Sequence, residues 1–373
     1  MYYHGIERVS LADGILTGKR IGLVTNYTAL DRGMNRTLDI LNVRYPLVRV
    51  FSPEHGLSGV AQAGEKVGNG TDKKSGLPVV SLYGGTSEND ERFDGLDAVA
   101  FDIQDIGLRF YTYISVLADV MRTCAGKRIP LVVFDRFNPL GLGRREGTYL
   151  DERFSSFIGK YALPSRHGLT VGEYARYINS EKNIGCDLTV IPCDGLQRCD
   201  DWRTVGRPWV YPSPNIPSYD TAVAYAGTVV FEGTNVSEGR GTTRPFSLIG
   251  APWIDGDVLA ERMNARRIPG VILRSAEFRP TFSKHAGECC RGVEILITDY
   301  DAFEPVRFGL TLADTIRHDC PEFKINNYMC HILGTDEFES PDYDTDEFLA
   351  AEKKKIDAFG DAVRKYELYP HIK

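Results

Sequence analysis

The sequence predicts an α/β protein: an open, mainly parallel sheet in the first part of the chain, then a smaller α+β part, with a cleft between them. Three observations carry that reading. Short apolar runs without polar alternation recur in the first half, the pattern of strands buried on both faces. Helix-period stretches separate those runs, giving the strand–helix–strand alternation of a parallel sheet covered by helices. At 373 residues the chain also has room for two domains of roughly 100–200 residues each.

Taken in order, strands are expected at 20–26, 47–52, 78–83, 98–102 and 130–135. A helix fits 34–42 between the first two. Another fits 112–125, where Ile114, Leu117, Met121 and Cys124 fall on one face and Gly126 supplies a stop. The segment 207–219 carries Pro208, Pro212, Pro214 and Pro217 among Trp209, Tyr211 and Tyr219. So many prolines forbid regular structure; the segment reads as the crossing between domains, and a wall of the binding cleft is equally compatible. The division is placed at 1–215 and 216–373. In the second part, strands are expected at 228–232, 271–274 and 292–298, and helices at 255–266 and 310–318. A final helix over 345–366 buries the stripe Leu349, Ile356, Phe359, Val363 and Tyr366.

Charge and composition exclude several function classes. The chain has 44 Lys and Arg against 51 Asp and Glu, a net charge of −7, which disfavours nucleic acid as the main partner because phosphate binding needs a concentrated positive field. No apolar run reaches the roughly 18–20 residues of a spanning helix. The opening residues include Tyr2, Tyr3, His4, Glu7 and Arg8 in place of an apolar leader. A cytoplasmic protein is therefore expected, or a periplasmic or secreted one whose leader has been removed. The eight Cys form no C-x-x-C pair; Cys186, Cys193 and Cys199 lie close enough in sequence to bind metal or pair, but buried free thiols are the simpler expectation. Oligomeric state is not legible.

In open α/β sheets ligands bind beyond the carboxyl ends of the strands, and there polar groups accumulate. They are Asn26; Glu54 and His55 in Pro53-Glu-His-Gly56; Tyr83; Asp102, Gln104, Asp105 and Arg109, then Tyr111 and Tyr113; and Asp135, Arg136 and Asn138. Glu54 stands out, because a carboxyl held in a stiff turn beside an imidazole has a tunable proton affinity. Asp105 and Arg109 are expected to form a structural ion pair. Arg166 and His167 before Gly168 are available to an anion, and the glycine-rich 231–243 adds Glu232, Asn235, Glu238 and Arg240. Neither G-x-G-x-x-G nor G-x-x-x-x-G-K-[ST] follows the first strand, and G-x-S-x-G and H-E-x-x-H are absent. No cofactor and no metal are therefore expected. A carboxylate-rich, aromatic-lined cleft suits sugar chemistry, in which one carboxylic acid protonates the leaving oxygen and a second group assists. From the residues alone the protein is a hydrolase or a binder of a polar, carbohydrate ligand.

Several segments resemble the exo-β-N-acetylmuramidase family typified by NamZ. They include Gly22-Leu-Val-Thr-Asn26, Phe51-Ser-Pro-Glu-His-Gly56, Phe101-Asp-Ile-Gln-Asp105, Arg109-Phe-Tyr-Thr-Tyr113, Asp135-Arg-Phe-Asn-Pro-Leu-Gly141, Pro212-Ser-Pro-Asn215 and Ser237-Glu-Gly-Arg-Gly-Thr-Thr243. The resemblance implies a Rossmann-like first domain, a catalytic cleft at the domain interface, and release of N-acetylmuramic acid from the non-reducing end of peptidoglycan fragments. It places the catalytic glutamate at Glu54, expected as general acid tuned by His55, with Asp102 or Glu238 assisting water or positioning substrate. The sugar's lactyl carboxylate calls for a cation, and Arg109, Arg136, Arg166 and Arg240 are the candidates. A non-catalytic binder of muropeptides or other acidic sugars is the alternative.

Overall fold

The computed structural model describes residues 1–62 and 64–371. A 3-10 helix (Gly5–Ala12) and α1 (Asp13–Leu16) lead into β1 (Ile21–Thr25), α2 (Thr37–Arg44), β2 (Leu47–Ser52), the short β3 (Gly70–Thr71), β4 (Pro78–Ser81) and β5 (Ala98–Asp102). Next come α3 (Tyr113–Lys127), β6 (Leu131–Phe134), a small hairpin of β7 (Glu146–Tyr149) and β8 (Pro164–Arg166), α4 (Val171–Glu181), β9 (Leu188–Ile191) and α5 (Trp202–Val205). The seven-stranded sheet runs β3-β4-β2-β1-β5-β6-β9, with every pair parallel except β3 with β4. Counted in chain order, its six parallel strands lie 3-2-1-4-5-6, the doubly wound Rossmann order. All five predicted strands of this half are present, one or two residues shorter at some ends. The sequence reading missed β9, which is too short and too little buried to stand out. It also missed α4, although Thr170 and Glu173 form a capping box that marks its start.

The second part comprises α6 (Tyr219–Thr228), a 3-10 turn (Val229–Gly233), β10 (Leu248–Ala251), α7 (Gly256–Ala265), β11 (Val271–Phe278), β12 (Cys290–Ile297), α8 (Pro305–Asp319), α9 (Tyr328–Leu333) and α10 (Thr345–Val363). Its sheet is antiparallel, ordered β10-β12-β11. The strand expected at 228–232 is instead the end of α6 and the 3-10 turn. Val229, Val230 and Phe231 are β-formers by propensity, but all three are buried in the shared core, and packing outweighs a preference of that size. The helix expected from 310 starts earlier, at Pro305, where a proline costs no hydrogen bond.

One continuous apolar core passes through both halves, taking in Phe101 and Leu117 from the first and Tyr225, Phe246, Ile295 and Phe308 from the second. Helix α10 returns to pack on β7. Helices α6 and α8 meet at Gly227 and Gly309, where a Cβ on Gly227 would fall 1.7 Å from the Pro305 carbonyl oxygen. Gly227→Ala is expected to force these helices apart and to destabilise the fold by about 1–3 kcal/mol or more, read as a lower urea midpoint with an unchanged slope.

Candidate active site

A cleft of about 540 Å³ opens between the two parts. One wall comes from segments that follow β2 and β4 and precede α3, carrying Glu54, His55, Gly64, Tyr83 and Phe110 to Thr112; the other carries Tyr225, Glu232, Arg240, Phe246 and Tyr328. Ser213 and Ile216 of the proline-rich segment also line it. The proline-rich segment is thus a crossing and a wall together, pinned by Tyr113 Oη donating to the Pro212 carbonyl (2.6 Å) and Trp209 Nε1 donating to that of Ile216 (3.1 Å).

Glu54 reaches the cleft because the chain turns sharply after β2. His55 and Gly56 both have positive φ, 69° and 75°, a conformation that Gly adopts freely and His more readily than most residues. Both carboxylate oxygens of Glu54 accept hydrogen bonds: Oε2 from Thr112 Oγ1 (2.8 Å) and Oε1 from the Gly64 amide (3.1 Å). Thr112 is the cap of α3, so Glu54 also meets the positive end of a helix dipole. Tyr83 Oη donates to the Gly64 carbonyl (3.0 Å), holding the same loop. His55, expected to tune Glu54, has its Nδ1 2.8 Å from the Ala61 carbonyl, the contact of a donor, and fixes the loop that carries Glu54.

Across the cleft, Glu232 Oε1 accepts from Arg240 Nη2 (2.6 Å). Arg240 Nε in turn lies 3.2 Å from Glu238 Oε1, and Lys284 Nζ donates to Glu238 Oε2 (2.8 Å). Burial, aided by the neighbouring Glu238 charge, holds the Glu232 carboxyl above the ordinary carboxylate range, against the opposing pull of Arg240 and Lys284. The sequence places Glu232 in the glycine-rich 231–243 but offers Glu238 as the assisting carboxylate. The structure puts Glu238 behind Arg240, with only 3% of its side chain exposed, and Glu232 at the cleft surface. Phe110, Tyr225, Phe246 and Tyr328 were likewise missed, as aromatics with no distinguishing local signal.

Many strand-end residues do not reach this cleft. Asp102 is fully buried in a two-point ion pair with Arg136 and also accepts from Thr37. The pair lies at the carboxyl ends of β5 and β6, and Arg136 also donates to the Leu30 carbonyl beyond β1, so both charges near the switch point of the doubly wound sheet are tied to protein partners. Asn26 closes a turn by accepting from Thr28, and Gln104 donates to the Asp105 and Phe137 carbonyls. Asp135 accepts from Thr170 and Gly172, Asn138 ties Leu140 to Leu169, and Tyr113 is buried under Pro212. Arg166 pairs with Glu146, and Asn235 anchors Glu322 and Lys324. Of the four arginines proposed for an acidic sugar, Arg240 alone lines the cleft.

The expected Asp105–Arg109 ion pair is also absent. Arg109 Nη2 donates to the carbonyls of Ile332 (2.9 Å) and Leu333 (3.0 Å), tying the two parts together. Asp105 accepts from the Gly107 amide (2.6 Å) and has one oxygen without a partner. Burial pushes its carboxyl up to about 7 and pushes His167, 4.0 Å away, down to about 3, so the two do not form an ion pair. Between the unfolded carboxyl's pKa, about 4, and 7 the native state binds the extra proton, and stability at this site falls as pH rises through that window. Asp105→Asn is expected to remove that slope and to raise the melting temperature at pH 8 more than at pH 5, measured calorimetrically.

Among the described residues there is no cluster of three or more His, Cys, Asp or Glu suited to a metal, and no helix is long and apolar enough to cross a membrane. All eight cysteines are free.

Two family models, described as the N-terminal and C-terminal parts of exo-β-N-acetylmuramidase NamZ, match residues 21–220 and 223–369. The chain is 46% identical over 310 residues to the peptidoglycan β-N-acetylmuramidase NamZ of Bacillus subtilis (strain 168), covering 82% of this chain and 75% of that protein. Two crystal structures of DUF1343 family proteins from Bacteroides fragilis share the fold. One has a TM-score of 0.90 at 30% identity over 99% of both chains, and the other a TM-score of 0.80 at 28% over 100% of both.

Proposed function

The chain belongs to the exo-β-N-acetylmuramidase NamZ family, and we propose that it releases N-acetylmuramic acid from the non-reducing end of peptidoglycan fragments with Glu54 and Glu232 as its two working carboxylates. The observation that carries this reading is their placement on opposite walls of one aromatic-lined cleft whose only Lys or Arg, among the described residues, is Arg240. Aromatic faces suit the apolar faces of a sugar ring, and a guanidinium suits the lactyl carboxylate.

The two environments differ, and that difference assigns roles. Glu232, held above its ordinary range by burial, is the proton donor to the leaving oxygen. Glu54, with donors on both oxygens, faces the sugar as base or nucleophile. Glu54, expected from the sequence as the general acid, takes the other role in this proposal, with the donor on the opposite wall. Glu238 positions Arg240, Asp102 lies outside the cleft in its pair with Arg136, and His55 holds the loop that presents Glu54.

The test is incubation with a chromogenic β-N-acetylmuramide and the matching β-N-acetylglucosaminide. Release from the muramide supports the enzyme, whereas binding without release removes it. A proton donor must be protonated to act, so on a disaccharide with a poor leaving group kcat/KM is expected to fall as pH rises through the raised pKa of Glu232, and Glu232→Gln to abolish that alkaline limb.

A further inference from the structure

Resting on the muramidase reading and deepening it, we infer that the substrate's own carboxylate loads the proton donor: an acidic sugar seated on Arg240 competes with Glu232 for the guanidinium and makes Glu232 take up one proton from solvent. A neutral sugar leaves the Arg240–Glu232 pair closed. Selectivity then resides in turnover as well as in binding.

The charges around Glu232 carry this. Arg240, Glu238 and Lys284 form one row with it, through contacts of 2.6, 3.2 and 2.8 Å. Tyr225, its hydroxyl kept protonated by burial, and the more exposed Tyr328 face it, and both also feel Glu54. With every member ionised, the row holds two carboxylates and two cations and is neutral. A lactyl carboxylate adds a third anion to this largely buried row, in the cleft that Glu54 also lines, and unbalanced charge there is expensive. Glu238 cannot relieve the excess easily, because Arg240 and Lys284 hold one of its oxygens each. Glu232 has a single cationic partner and lines the cleft. It is the member that protonates, and the resulting carboxylic acid is the form that donates to a leaving oxygen. Arg240, steadied over the Phe246 ring at 5.1 Å, remains in place for the substrate.

Binding and protonation are then linked in both directions. The experiment is titration calorimetry of the whole protein with free N-acetylmuramic acid and with N-acetylglucosamine, in buffers of different ionisation enthalpy between pH 6 and 8. The expected result is uptake of about one proton per N-acetylmuramic acid bound and none with N-acetylglucosamine, with the former's Kd rising up to about tenfold per pH unit. Glu232→Gln should bind N-acetylmuramic acid without uptake, and Arg240→Gln should lose on the order of 10- to 100-fold of the muramide-over-glucosaminide preference. Muramide hydrolysis without proton uptake overturns the inference alone, as does equal uptake with both sugars or uptake that persists in Glu232→Gln. Failure to hydrolyse the muramide removes the muramidase reading and the inference with it.

Discussion

Glu54→Gln is expected to lower turnover of β-N-acetylmuramides by about 10²–10⁴-fold, the range for loss of a positioned acid–base group, on a protein that stays folded. Gln fills the same volume, and its amide oxygen can still accept from either Thr112 or Gly64, so the loop that presents it keeps its anchors. Comparison with Glu232→Gln separates the roles. A nitrophenolate leaves without being protonated, so loss of the proton donor is felt chiefly on a disaccharide with a poor leaving group. Glu232→Gln should therefore retain much of its rate on a nitrophenyl muramide, whereas Glu54→Gln should be nearly inactive on both substrates. Equal losses on the two substrates would remove Glu232 as the donor.

Asp102→Ala should destabilise the fold by about 3–5 kcal/mol, the cost of leaving one member of a buried ion pair uncompensated. Asp102 is 0% exposed and Arg136 is 2% exposed, so water cannot replace the lost partner. Thr37 would lose its acceptor as well. A double variant, Asp102→Leu with Arg136→Met, should recover most of the loss, because apolar residues of similar volume often replace a buried pair at little cost. Denaturant unfolding of the three proteins checks both expectations. A loss below about 1 kcal/mol in Asp102→Ala would mean that the pair is solvated as a surface bridge is.

Much of the first half was legible because buried parallel strands are written locally. Runs such as Leu131–Phe134 are apolar throughout, and α3 repeats its apolar residues at helical spacing. Glu54 was legible for a similar reason, since Pro53 and Gly56 bracket a turn that only a few conformations can make. Errors arose wherever long-range packing decided. Val229 to Phe231 look like a strand and are helical, because their partners lie on α8 and α9. Arg109 looks like a partner for Asp105 and instead bonds carbonyls more than 200 positions away.

The α/β class, the parallel strands of the first half, the family and the interest of Glu54 are all written in contiguous residues whose chemistry constrains the backbone nearby. Which polar strand ends line the cleft and which are held in structural contacts emerges from the folded molecule alone. Long-range packing locks Asp102 and Arg136 into a buried pair, turns Arg109 to the Ile332 carbonyl and Arg166 to Glu146, and sets Glu232 across the cleft from Glu54 with Arg240 beside it. The physical reason is that a charged side chain has the same local signature whether it meets a partner in the core or a ligand in a cleft, and burial, a property of the whole fold, tells the two apart.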